Sequence, residues 1–210
     1  MTEEQAMIID QERLAKVTAL ESGSHAPDGR WCIMEAAAFV AGEPWSDRPE
    51  CVSPVIGAFM RNWNDNLPDD ERTALLLPLL PKLLNTRGST ELEQRRSLMA
   101  ADWLVRTHTV AWLRLAKLDK QADLLASLPE ITSMAQIPSI RGPLEAVRID
   151  GGASRAAAEA AAWAAAEAAE AAAEAAARAA AGDALKATKT KLQQSAVVLV
   201  ERMCALKDEP

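Results

Sequence analysis

From Ala156 to Ala181 the chain reads AAAEAAAWAAAEAAEAAAEAAARAAA. Alanine has the highest helix propensity of any residue, so this segment is expected to be helical with little tertiary help. At about 1.5 Å per residue it would form a rod of roughly 40 Å. The interruptions, Arg155, Glu159, Trp163, Glu167, Glu170, Glu174 and Arg178, recur every three or four residues and form one stripe. The opposite face is alanine alone: Ala158, Ala161, Ala165, Ala168, Ala172 and Ala176. Side chains this small let a neighbouring helix approach to the short end of the usual spacing. That face is the expected interaction surface, and Trp163, in the polar stripe, is an expected contact residue. The plainer alternative is compositional drift in a GC-rich genome, giving a helix that packs on its own domain.

The rest of the chain also reads as helix. Glu3 to Leu20 carries an apolar stripe spoiled by Asp10. Arg30 to Ala41 should be helical, with Gly42 as a left-handed stop. Ser53-Pro54 combines an N-cap with a proline in the first turn. Acids from Asp69 to Glu71 favour another helix start after Pro68. Pro78 and Pro81 should cut LLLPLLPKLL into short pieces. Thr90 and Glu93 predict a capping box opening a helix to about Lys117. Asp119 is a cap candidate for KQADLLASL, and after Pro129 the pattern weakens. Gly151-Gly152 marks a break, Gly182 should close the alanine helix, and Asp183 should cap the last one. In that last helix Leu185, Thr188, Leu192, Ser195, Leu199, Met203 and Leu206 form a seam close to a coiled-coil repeat. The expected fold class is therefore all-α: a helical bundle domain over 1–150, then a long alanine-rich helical hairpin over 151–210, with a continuous kinked rod as the alternative to the hairpin.

Charge and composition narrow the function. The formal charge is −7, with acids and bases intermixed, so a nucleic-acid partner is not expected. No segment matches a membrane span, and the start lacks a signal-peptide pattern, so a cytoplasmic location is expected. Three cysteines, Cys32, Cys51 and Cys204, read as free thiols. No CxxC or HxxxH occurs, so no metal and no cofactor are expected.

The distinctive centre is WCIMEAAAFVAGEPWSDRPECVSPVIGAFMRNWND, Trp31 to Asp65. Cys32 and Glu35 share a helix face at i, i+3. Asp47 and Cys51 lie in or beside the proline-bearing connector. A thiol–carboxylate site built from Cys32, Glu35 and Asp47 is conceivable, but His25 and His108 have no sequence link to it. A nucleophilic cysteine needs an activating base or a lowered pKa. Buried structural thiols are the favoured reading. Trp45, Trp63, Trp103 and Trp112 are expected to pack the connector against the core, and His108 to be a surface or satisfied histidine.

Three patterns run through this centre: C-x-M-E at Cys32, Met34 and Glu35; G-E-x-x-S-D-x-P at Gly42, Glu43, Ser46, Asp47 and Pro49; and C-V-x-P-V-I at Cys51, Val52, Pro54, Val55 and Ile56. Together with TRGSTELE, VRTHTVAWLRLA and the alanine-rich segment, they resemble an uncharacterised family of mainly actinobacterial and phage-encoded helical proteins. The chain departs from that family at Arg48, where histidine is frequent, and at Ser53, where cysteine is. Both departures weigh against a metal site. The resemblance implies no activity; it suggests only a phage or host-conflict setting. The expected function is a noncatalytic helical interaction or scaffold protein, binding a protein partner or itself as a homo-oligomer. The alternative is a small enzyme or ligand-binding protein using the Cys32/Glu35/Asp47/Cys51 region.

Overall fold

The computed structural model describes residues 9–23, 30–146 and 171–208, with the side chains of 171–181 left aside. The described residues are helical with no strand, so the chain is all-α. Ala158, Ala161, Trp163, Ala165 and Ala168 lie outside the described residues, as does His25.

The helices are α1 (Gln11–Lys16), α2 (Ile33–Ala41), α3 (Pro54–Asn66), α4 (Asp69–Leu76), α5 (Leu80–Leu83), α6 (Thr90–Trp103), α7 (Val110–Leu115), α8 (Asp119–Ala126), α9 (137–146) and α10 (Ala171–Ala205). They divide into two compact units. The first holds the chain up to Ser97 and returns at Ala196; the second holds Leu98–Ser195. The end of the last helix, from Ala196, therefore clusters with the N-terminal elements, where the sequence predicts one separate module over 151–210.

The first unit is organised around α2. Its sequence, IMEAAAFVA, is apolar nearly all round, and such a helix must be central. Ile33, Met34, Ala36, Ala37 and Ala38 have no exposed surface. The three alanines let α1, α3 and α5 pack closely on α2. Gly42 ends α2 at φ 74°, a conformation that costs glycine little. Arg13 Nη1 donates to the terminal carbonyl of Phe39 at 3.0 Å. Ser53 caps α3 by accepting from the Ile56 amide at 3.2 Å, with Pro54 in the first turn, as expected. The far end of α3 is closed by Arg72, whose Nε and Nη2 donate to the carbonyls of Asn64 and Leu67 at 2.7 and 2.6 Å.

Several expectations change. Asp10 begins a short helix, accepting from the Arg13 amide at 2.9 Å, and residues 3–8 of the expected helix lie outside the described residues. Beyond Lys16 the backbone becomes extended, and the Leu20 amide is held by Thr73 Oγ1 at 2.9 Å. Ser89, not Thr90, caps α6, accepting from the Leu92 amide at 3.1 Å. Asp119 lies in the first turn of α8 and makes no cap hydrogen bond; it pairs with Arg114 at 3.3 Å. Ser133 and Gln136 form a capping box ahead of α9, which the weak pattern after Pro129 does not suggest. The turn expected at Gly182-Asp183 is absent. Helix α10 runs through both residues, because each backbone hydrogen bond gained offsets the modest penalty of one glycine. Ala172 and Ala176 lie within it. The predicted seam is buried at Leu192, Leu199 and Met203, widened by Ala196 and Val200, while Leu185 is exposed.

The second unit packs Leu98, Val105, Leu113, Ala122, Leu125, Ile131 and Ile140. Between α6 and α7 the helix widens into a π-helical turn, Leu104–Thr109. His108 sits in this turn between Trp103 and Trp112, with ring centroids 5.2 and 6.1 Å away. Trp112 Nε1 donates to His108 Nε2 at 3.1 Å. An indole can only donate, so that nitrogen carries no proton. Burial lowers the histidine pKa below its ordinary 6.5. The unfolded chain therefore binds the proton more readily, and stability falls as pH drops through the window below about 6.5. Thermal melts should show wild type losing its advantage over H108F between pH 7.5 and 5. An advantage that holds or grows on acidification would contradict this assignment.

Candidate functional site

The sequence singles out four residues, Cys32, Glu35, Asp47 and Cys51. Cys32 and Glu35 do meet. Cys32 is the N-cap of α2: its Sγ accepts from the Glu35 amide at 3.4 Å, and Glu35 Oε2 accepts from the Cys32 amide at 2.7 Å. This is a reciprocal capping box with a thiol in the place of the usual hydroxyl. Both residues are buried, Glu35 completely. Burial pushes the Cys32 thiol up to about 12, and the Glu35 carboxylate beside it opposes ionisation further. The partner of this cysteine is thus a suppressor of thiolate, not an activating base.

Cys51 stands where the connector enters α3. Glu43 organises the connector by accepting from the amides of Glu50 and Cys51 at 2.5 and 2.7 Å. Burial raises the Cys51 thiol to about 12, with the hydrogen-bonded Glu43 carboxylate adding to the effect. All three cysteines are free thiols. Asp47 pairs with arginines: its Oδ2 lies 3.8 Å from Arg61 Nε and its Oδ1 lies 4.0 Å from Arg48 Nε. Arg61 also donates to the Asp47 carbonyl at 2.9 Å. Among the described residues, no group of three or more His, Cys, Asp or Glu side chains is placed to hold a metal ion.

The tryptophans divide between several clusters. Trp45 stacks on Trp31 at 5.0 Å and Trp63 meets Phe59 at 5.9 Å. Trp103 and Trp112 belong to the second unit, with Trp103 Nε1 donating to Ser195 Oγ at 3.0 Å. Of the four expected to hold the connector, only Trp45 is part of it.

A polar network absent from the sequence reading lies behind Ser53. Its hydroxyl donates to Glu93 Oε2, and its amide donates to Thr86 Oγ1 at 3.0 Å. Glu93 Oε1 accepts from Arg96 Nη1 at 2.6 Å. Arg96 is 1% exposed and also donates to the carbonyls of Thr86, Met203 and Leu206. Glu93, expected to close a capping box, is thus used to bind Ser53 and Arg96. One signal was available: Arg96 follows Leu92 at i+4, on the apolar stripe of its helix.

The chain matches no protein-family model, no curated protein and no solved structure. Among the described residues, no helix is long and apolar enough to cross a membrane.

Proposed function

We propose that this chain is a noncatalytic helical interaction or scaffold protein that engages a protein partner or a second copy of itself. The observation that carries this reading is the Cys32–Glu35 capping box. The residues best suited to chemistry are used to start a buried helix, and their environment holds the thiol protonated. Cys51 is held in the same state beside a connector that Glu43 ties down. The alanine face read from the sequence supplies the contact surface, and the family resemblance suggests a phage or host-conflict setting in the cytoplasm.

The test separates the two surfaces. C32A/C51A should lose about 1 kcal/mol of stability through the weakened cap, and should keep its association state in light scattering. Ala168→Glu should lower the association state, because a close-packed face has no room for a larger charged side chain. Glu167→Gln, on the polar stripe, should leave it unchanged. A C32A/C51A protein that folds normally yet loses all biological activity overturns the proposal. An Ala168→Glu protein indistinguishable from Glu167→Gln removes the alanine face from it.

A further inference from the structure

In the first unit a cavity of about 180 Å³ opens between α2, the connector and the start of α3, and three of its lining residues are Arg48, Arg61 and Arg87. We propose that this cavity binds a small phosphate-class oxyanion, either free or as the phosphoryl group of a small metabolite. The inference stands independently of the interaction role.

The charge around the cavity is unbalanced. The chain as a whole is acidic at −7, yet three arginines line one small opening. Asp47 pairs with Arg61 and Arg48 at 3.8 and 4.0 Å, longer than a direct charge-assisted hydrogen bond. Glu43, another acid of the connector, accepts from the amides of Glu50 and Cys51. Arg87 makes no ion pair among the described residues. Three arginines around one loosely paired carboxylate favour an anionic ligand. Guanidinium forks match the oxygen geometry of phosphate. Arg61 is already oriented by its 2.9 Å bond to the Asp47 carbonyl, so binding need not order it.

The walls fit the same ligand. Ser53 and Pro54, at the start of the 13-residue α3, line the cavity, and that first turn holds no acidic residue. Glu93 reaches this helix start through the Ser53 hydroxyl, but its charge is paired with Arg96. Gly57 supplies the space. A Cβ there would lie 3.4 Å from Met34 Sδ and 3.5 Å from Arg61 Nη1, ordinary contact distances that would narrow the cavity beside Arg61 without a clash. Size sets the class of ligand. Sites that enclose drug-sized molecules run to roughly 300–1,000 Å³, and a water occupies about 30 Å³. This cavity holds one oxyanion with a few waters and does not enclose a nucleotide.

Inorganic phosphate and, separately, glycerol 3-phosphate should be titrated into the full chain, with ionic strength held constant by chloride. Amide resonances should report saturable shifts confined to the connector, the first turns of α3 and Arg87. Phosphate stabilises many proteins by exclusion from their surface, so the melting readout is wild type minus variant at equal concentration. R87Q, an exposed position, should fold as wild type and bind about tenfold more weakly. G57A should bind at least as weakly as R87Q while melting no lower than wild type, since alanine favours the helix. Tighter binding of one ligand than the other identifies the source of the phosphoryl group. Shifts reproduced by chloride, or R87Q and G57A binding phosphate as wild type does, would overturn the proposal.

Discussion

A fragment of residues 1–150 is expected to lose the fold of its first unit. Leu199, Val200 and Met203 are buried in the intact protein, at 3%, 0% and 0% exposure. They belong to the unit that contains α1 to α5. Burying each such side chain is worth roughly 1.5–3 kcal/mol, so the fragment forfeits about 5–9 kcal/mol before any cavity cost. Small domains have a total of only about 5–15 kcal/mol. The fragment also strips Arg96 of its acceptors at Met203 and Leu206. The second unit should suffer less, because its core from Leu98 to Ile140 is retained. Hydrogen exchange separates the outcomes. Amides of α2 should exchange rapidly in the fragment, while those around Val105 and Leu125 keep protection. Protected α2 amides in the fragment would show that the C-terminal helix is dispensable, and would support a domain boundary near residue 150.

Composition changes at Gly151, whereas Leu199, Val200 and Met203 are buried in the unit that holds α1 to α5. Local chemistry was legible wherever the deciding residues are neighbours in sequence. Gly42 as a left-handed stop and Ser53-Pro54 as a start stand as expected, since each needs only its own turn. Asp10 was misread because a carboxylate on an apolar stripe and a cap at a helix start look alike until the chain direction before it is known. Gly182 was misread for the opposite reason: a glycine is a common stop, but no competing contact ends the helix there. Close approach through alanine is realised at Ala36, Ala37 and Ala38, in a run too short to stand out beside the long one.

The candidate site was legible in part. The i, i+3 spacing of Cys32 and Glu35 does bring them together, but the same spacing serves a capping box and a chemical pair. Only burial and the direction of the hydrogen bonds separate the two. Arg48, Arg61 and Arg87 come from the connector, α3 and the segment before α6, and nothing in their spacing announces one cavity. The same holds for Arg96, whose acceptors lie up to 110 residues away.

Arg96→Met should destabilise the protein by about 3–5 kcal/mol, the cost of breaking a buried pair from one side. Arg96 Nε donates to Met203 at 3.0 Å, Nη1 to Glu93 at 2.6 Å, and Nη2 to Leu206 at 3.3 Å. Methionine fills similar space and satisfies none of these acceptors. The larger penalty falls on Glu93, whose side chain is only 15% exposed and would keep its charge with the Ser53 hydroxyl in place of a cation. Neutralising it should therefore help. E93Q/R96M is expected to be more stable than R96M alone, although E93Q by itself weakens the wild type. Residues in one network couple by roughly 0.5–3 kcal/mol, and this pair should fall in the upper half of that range. Arg96→Lys should recover only part of the loss, because one ammonium cannot span acceptors on Glu93, Thr86 and the C-terminal helix. Urea melts of the four proteins in the cycle, with the lysine variant beside them, measure each quantity. An R96M protein within 1 kcal/mol of wild type, or a double variant no better than R96M, would mean that apolar burial alone holds the C-terminal helix in the first unit.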